Sequence, residues 1–207
     1  MAKLLFQGHG SFRLTTDAGK VFYIDPFAGE GYDVPADAIF VTHQHHDHNK
    51  IDLPARNENC VVYQNTDAIK DGVYQQADIA GVHIEAVEAY NKNHAAAECV
   101  GYLVSADGLL LYFAGDTSKT KQMGELAERH IDYAFLPSDG VYNMDIHEAA
   151  ECAAIIRAKH SAAVHMSPGK LFDEDRAQLF VGLCTKYEGE GTASGAFIIR
   201  PGSEIEL

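Results

Sequence analysis

Thr42-His43-Gln44-His45-His46-Asp47-His48 places four residues able to bind a transition metal within six positions, in the pattern His-x-His-x-Asp-His. The run follows Ala38-Ile39-Phe40-Val41, an apolar stretch that reads as a strand. On a helix of 3.6 residues per turn, His43 and His45 would point about 200° apart. A tight loop at a strand end lets several of these side chains converge instead. Imidazole and carboxylate donors suit zinc, iron or manganese, and the lack of thiolate argues against a closed structural zinc knot. The sequence therefore points to a metal site with room for chemistry.

Three further candidates sit just beyond other apolar runs. His94 follows the 83–88 segment, Asp116 follows Leu109–Phe113 in Ala114-Gly115-Asp116-Thr117, and His165 follows Ala162-Ala163-Val164. Gly115 permits a sharp turn there. Each has a local explanation when taken alone, as a hydrogen-bonded histidine or an aspartate in a turn. Their joint occurrence with the loop motif favours ligands, because sheet proteins gather functional groups at rigid strand ends.

The elements that would carry these residues change character along the chain. The first half reads as short strands: Leu4-Leu5-Phe6, Ser11–Leu14, Val21–Ile24, Val61-Val62-Tyr63 and the alternating His83–Val87. Val100–Val104 and Leu109–Phe113 flank Ala106-Asp107-Gly108, a hairpin signal. The second half alternates helix and strand. Asp145-Ile146-His147-Glu148 resembles a capping box, followed by Ala149, Cys152, Ala153 and Ile156 at helical spacing. A last helix is expected from near Asp173 to Tyr187, with Ala177, Phe180, Val181 and Cys184 on its apolar face. Strands followed by helix-strand units suggest layered sheets covered by helices, an α/β (α+β) architecture.

Composition bounds the function. The chain has 207 residues, 46% hydrophobic and 22% charged, and reads as one domain, 1–207. A formal net charge of −14 repels nucleic acid at long range, so no nucleic-acid partner is expected. No apolar run approaches a membrane span, and Gln7 and Gly8 arrive too early for a signal peptide. Cys60, Cys99, Cys152 and Cys184 lack C-x-x-C spacing, which fits reduced thiols and a cytoplasmic location.

The ordered set Asp25, His43-x-His45-x-Asp47-His48, His94, Gly115-Asp116-Thr117 and His165 resembles the metallo-β-lactamase superfamily. Gly8-His9-Gly10-Ser11-Phe12, Tyr90-Asn91, Ile131-Asp132-Tyr133 and Val141-Tyr142-Asn143-Met144 resemble its small single-domain branch, among relatives of ascorbate-6-phosphate lactonase and N-acyl-phosphatidylethanolamine phospholipase D. The resemblance implies a four-layer αββα sandwich with two divalent metal ions at one edge, zinc first, with manganese or iron as alternatives. It implies that His43, His45 and His94 hold one metal, that Asp47, His48 and His165 hold the second, and that Asp116 bridges them. Asp25 would orient a ligating imidazole. Ala95-Ala96-Ala97 departs from relatives that carry proline or charge after this histidine. His46 matches no family ligand and is expected to face outward or stand behind the ligands.

Such a pair would provide a metal-bridging hydroxide at neutral pH, with Asp47 accepting its remaining proton. The expected activity is hydrolysis of an ester-type bond, lactone or phosphodiester, in a small-molecule substrate. An iron-containing oxidoreductase and a metal-stabilised binding protein are the alternatives, and a homo-oligomer stays open. His9 could hydrogen-bond substrate or a ligand. Asp139 could orient a ligand or make a turn, as its place in Pro137-Ser138-Asp139-Gly140 suggests. Lys170 could contact an anion, although a solvated loop lysine explains it as well. Tyr142 and Asn143 could line the pocket, although capping and packing is the role expected of them first.

Overall fold

A computed structural model describes residues 1–188 and 195–207. The chain opens with β1 (Lys3–Gly8), β2 (Ser11–Thr15), β3 (Val21–Ile24), β4 (Ala36–Val41) and β5 (Arg56–Gln64). A single turn, α1 (Asn65–Ala68), precedes the small hairpin of β6 (Ile69–Lys70) and β7 (Val73–Tyr74). Next come β8 (Gln76–Ile79), β9 (Val82–Glu88), β10 (Val100–Ala106) and β11 (Leu109–Phe113). The remainder holds α2 (Met123–Leu126), β12 (Tyr133–Pro137), α3 (Ile146–Ile156), β13 (His160–Val164), α4 (Glu174–Glu188), β14 (Gly195–Ala196) and β15 (Glu204–Glu206).

Among the described residues, one sheet runs β15-β1-β2-β3-β4-β5 and a second runs β14-β13-β12-β11-β10-β9-β8. The period of two along each strand sorts its side chains between layers. Phe22 and Ile24 of β3 join Phe6, Phe12, Phe40, Phe113 and Phe135 in the core between the sheets. Val21 and Tyr23 point to the opposite face. On the second sheet, Ala134 and Leu136 turn outward under α2, α3 and α4. Each fully buried phenylalanine contributes about 1.5–3 kcal/mol through loss of water contact.

The helices follow their sequence signals with two local differences. Asp145 caps α3 by accepting from the backbone N–H of His147 and Glu148, both at 2.9 Å. The reciprocal half of the box is not made, because Glu148 accepts from the Lys119 N–H at 2.9 Å instead. Ala177, Phe180 and Cys184 of α4 are buried, whereas Val181 is only half-buried. The sandwich is the expected α+β one, but the outer face of the first sheet lies under the loop side chains Tyr32, Val34 and Ile51 rather than a long helix. Among the described residues no helix is long and apolar enough to cross a membrane. Cys60, Cys99 and Cys152 are free thiols.

Strand direction decides where chemistry can gather. In the first sheet β1 and β3 both oppose β2, and β4 runs parallel to β3, so these three share one sense. In the second sheet β9 and β11 both oppose β10, and β11, β12 and β13 are mutually parallel neighbours. Among the described residues β1, β3, β4, β9, β11, β12 and β13 therefore all end at one edge of the sandwich. The segments that follow them carry His9, Asp25, the 42–49 loop, His94, Asp116, Asp139 and His165.

Candidate metal centre

Sharp backbone turns bring these side chains off their strands. His9, Asp25 and His165 adopt φ of 58°, 46° and 44°, in the left-handed region that L residues rarely occupy. Such strain persists where the surroundings hold it, and it commonly marks working sites. Gly115, at φ 65°, turns the chain into Asp116, and a Cβ there would lie 2.6 Å from the Val100 carbonyl oxygen. Only glycine fits at that position.

The seven candidate ligands meet. Atoms of His43, His45 and His94 lie within 4.8 Å of one another, as do those of His43, His48 and Asp116. A third such group unites Asp47, His48 and His165 with His9. Asp116 is central. Its Oδ2 stands 3.3 Å from His94 Nε2, 3.5 Å from His165 Nε2 and 4.0 Å from His43 Nε2. Its Oδ1 stands 3.4 Å from His48 Nε2.

Three observations fit this set to cations. The Nε2 atoms of His43, His48 and His165 and Oδ1 of Asp116 are buried without a hydrogen-bond partner. Four unpartnered polar atoms aimed at a common space are costly unless something charged sits among them. His45 Nδ1 lies 3.2 Å from His94 Nε2, close to the ~3.3 Å edge of a tetrahedron with Zn–N bonds of about 2.0–2.1 Å. The donor set is all nitrogen and oxygen, with carboxylates at its centre, as divalent first-row metals accept.

Behind the candidate ligands, the other ring nitrogens of His43, His48 and His94 have hydrogen-bond partners. Asp25 Oδ2 takes His48 Nδ1 at 2.8 Å and the Thr42 hydroxyl at 2.7 Å, and Asp25 Oδ1 accepts from the Thr42 N–H at 2.8 Å. The Thr42 hydroxyl oxygen in turn lies 3.0 Å from His43 Nδ1. His94 Nδ1 lies 2.8 Å from Asn91 Oδ1. His165 Nδ1 faces Asp139 Oδ2 at 3.2 Å in a bent contact. Asp139 is therefore both ligand-facing and part of a turn, for its Oδ1 accepts from the N–H groups of Val141 at 2.6 Å and Tyr142 at 2.7 Å. From α4, Arg176 Nη1 donates to the carbonyls of Ser138 at 2.8 Å and Asp139 at 3.0 Å.

The charges are strongly coupled. Burial disfavours a charged His48, but Asp116 and Asp25 beside it prevail and hold it up at about 9. Burial likewise opposes charge on His165, and Asp116 and Asp139 raise it. His43 is pressed down to about 2 by burial and by the neighbouring His48. Burial works to raise Asp116, yet His165 and His48 keep its carboxyl well below the usual range.

The centre opens into a cavity of about 650 Å³. Phe27, Pro168, Leu171 and Tyr142 supply apolar wall, and Asp47, Asn93 and Lys170 supply polar wall. His9 is buried, and its Nε2 meets Asp47 Oδ2 at 3.3 Å while its ring centroid lies 3.6 Å from that of His165, the two rings tilted by 43°. His46 points outward, with its side chain 86% exposed. Tyr142 differs from the packing role expected of it: it is half-exposed on the cavity wall, while its neighbour Asn143 is buried. Lys170 lines the mouth, largely solvated, 3.8 Å from Asp173. Sequence reasoning missed Thr42 and Asn91 as anchors. Their signal is position alone, one residue before the histidine motif and three before His94.

The family model described as the beta-lactamase superfamily domain matches residues 3–165. A UPF0173 metal-dependent hydrolase of a Geobacillus species is 30% identical over 236 aligned residues, covering 99% of this chain and 100% of that protein. Another from Thermococcus kodakarensis is 29% identical, covering 100% of both. Among solved structures, a metallo hydrolase from the archaeon Ignicoccus hospitalis superimposes with a TM-score of 0.75 at 22% identity, over 100% of this chain and 99% of that one, a likeness of fold.

Proposed function

The chain belongs to the metallo-β-lactamase superfamily as a metal-dependent hydrolase of the UPF0173 group, and from that premise we propose that it uses a pair of divalent cations to cleave an ester-type bond, lactone or phosphodiester, in a small metabolite. His43, His45 and His94 would hold one cation and Asp47, His48 and His165 the other, with the Asp116 carboxylate shared between the two groups. Residues 1–207 then form one hydrolase domain. The observation that carries this reading is the convergence of unpartnered, buried Nε2 atoms of His43, His48 and His165 on Asp116. Zinc is the first choice for this nitrogen and oxygen set.

When bound, the cations supply Lewis acidity and lower the pKa of water toward about 7. The protein's own groups do the rest. Asp47 reaches the cavity with its side chain 24% exposed and accepts the proton of the attacking water. Burial works to raise its pKa, but the hydrogen bond from His9 and the charge of His48 lower it, so the carboxylate is available at neutral pH. His9 holds Oδ2 of Asp47, which fixes the direction of that transfer. Phe27, Leu171 and Tyr142 shelter the substrate body from water, and Lys170 stands at the mouth where an anionic group would leave. No serine or cysteine nucleophile is needed.

The test is metal analysis joined to a screen of lactones, phosphodiesters and thioesters before and after chelation. Two cations per chain, with turnover abolished by chelator and restored by zinc, manganese or iron, is the expected result. Turnover indifferent to chelation, or none on any ester despite full loading, would defeat the reading.

A further inference from the structure

Asp139 is fully buried, and its environment extends beyond His165. Its Oδ2 accepts from Asn143 Nδ2 at 2.8 Å. Asn143 Oδ1 accepts from Asn91 Nδ2 at 3.1 Å. Asn91 Oδ1 accepts from the Asn93 N–H at 2.8 Å and faces His94 Nδ1 at 2.8 Å. A polar chain therefore runs from one candidate ligand, His165, to another, His94, by way of three side chains.

The direction of the links follows from the Asp139 end, and the Asn93 N–H, which needs an oxygen to accept it, agrees with it at the Asn91 end. An ionised carboxylate only accepts, so Asn143 must turn its NH₂ toward Asp139. Its carbonyl oxygen then faces Asn91, which must answer with its own NH₂. That leaves the Asn91 oxygen facing His94, and His94 must donate from Nδ1. A neutral imidazole with its proton on Nδ1 presents a lone pair at Nε2. His94 Nε2 is the atom that lies 3.3 Å from Asp116 Oδ2 and 3.2 Å from His45 Nδ1.

We propose that Asn143 and Asn91 are positioning residues that relay the acceptor character of Asp139 to His94, so that one carboxylate sets the tautomers of two imidazoles serving different cations. The inference rests on the ligand assignment of the preceding subsection. The relay also carries the cavity wall. Tyr142 lies between Asp139 and Asn143, its N–H bound by Asp139 and its carbonyl by Asn93 Nδ2 at 3.0 Å. The loop that meets substrate is thereby tied to both cation sites.

Asn143→Ala cuts the relay and leaves the Asp139–His165 contact in place. Stripped protein is titrated with zinc against a chromophoric chelator, and two-bond ring ¹⁵N spectra of the zinc-loaded protein report which histidine nitrogens are protonated and which are ligated. Asn143→Ala should weaken the cation at His94 by about 10-fold, within the range of losses for groups behind ligands, and leave the one at His165 within about twofold. Ring ¹⁵N spectra of the stripped variant, where no cation dictates the tautomer, should show that His94 has lost its uniform Nδ1–H signature. Asp139→Asn should weaken both. If Asn143→Ala fails to fold, Asn91→Ala removes the next link from a half-buried loop position and must give the same asymmetric result. Unchanged affinities and an unchanged His94 spectrum overturn the relay while the metal assignment stands. Equal weakening of both cations by Asn143→Ala also overturns it, because that is what a merely structural role predicts. A wild-type protein that binds no cation removes the ligand assignment and this inference together.

Discussion

Asp25 and Asp139 stand on different sheets, yet each serves a pair of imidazoles, one directly and one through neutral groups. Asp25 meets His48 directly and reaches His43 through the Thr42 hydroxyl. Asp139 meets His165 directly and reaches His94 through two amides. The difference lies in what each route delivers. Burial disfavours charge on His48, His165 and His43, but Asp116 first, and then Asp25 and Asp139, hold His48 and His165 up, whereas burial and the neighbouring His48 press His43 down to about 2. A neutral relay fixes which nitrogen carries the proton without lending negative charge. Carboxylate backing raises ligand basicity, so on the proposed assignment a cation at Asp47, His48 and His165 should bind more tightly than one at His43, His45 and His94.

The most drastic way to break this comparison is to remove the group both halves share. Asp116→Ala should cost one cation per chain and lower turnover by at least about 100-fold, measured by metal analysis and steady-state kinetics. Two retained cations would dissolve the bridge. Asp47→Asn should lower turnover by about 10²–10⁴-fold with the melting temperature nearly unchanged. Normal turnover in that variant would take the proton acceptor out of the mechanism. Asp25→Asn should weaken the cation at His48 by about 10–100-fold, and Thr42→Val the cation at His43 by about 10-fold. Equal losses from the two variants would erase the distinction between direct and relayed backing.

A smaller effect comes from a carboxylate outside the site. Asp132 accepts from the Leu110 N–H at 2.8 Å and pairs with Lys159 at 2.6 Å, tying β11 to the loop before β12. Burial raises its pKa, but Lys159 and the Leu110 N–H outweigh this and lower it. A depressed carboxylate contributes stability above its unfolded value, near 4, and loses it as pH falls through the folded value. Asp132→Asn should cost about 1 kcal/mol at pH 7, and the gap to wild type should close in acid. Thermal melts between pH 7 and pH 3 would check this, and a gap that widens in acid would reverse the assignment.

Much of this was legible because the informative residues combine type with place. The Asp107-Gly108 step appears as a tight turn with both residues at positive φ, 51° and 80°. Every predicted ligand follows an apolar strand, and the shared direction of those strands does the gathering. Less was legible where polarity masks structure. The edge strands β8 and β15 show little of the apolar alternation that marks a strand, with Ile79 their one fully buried residue. Asn91 and Asn143 read as ordinary loop residues, since asparagine is common in turns and nothing local betrays a partner 52 positions away. His9 was ambiguous because its meaning depends on Asp47, 38 positions distant.

Arg176 ties these observations to the far end of the chain. Its guanidinium fastens helix α4 to the peptide carbonyls of Ser138 and Asp139. The C-terminal helix is thereby a clasp on the catalytic edge. Damage that peels it back, such as a nick in or beyond α4, should slacken the grip on the cations while both sheets remain folded, so that leakage of metal gives earlier notice of a failing tail than any melting curve.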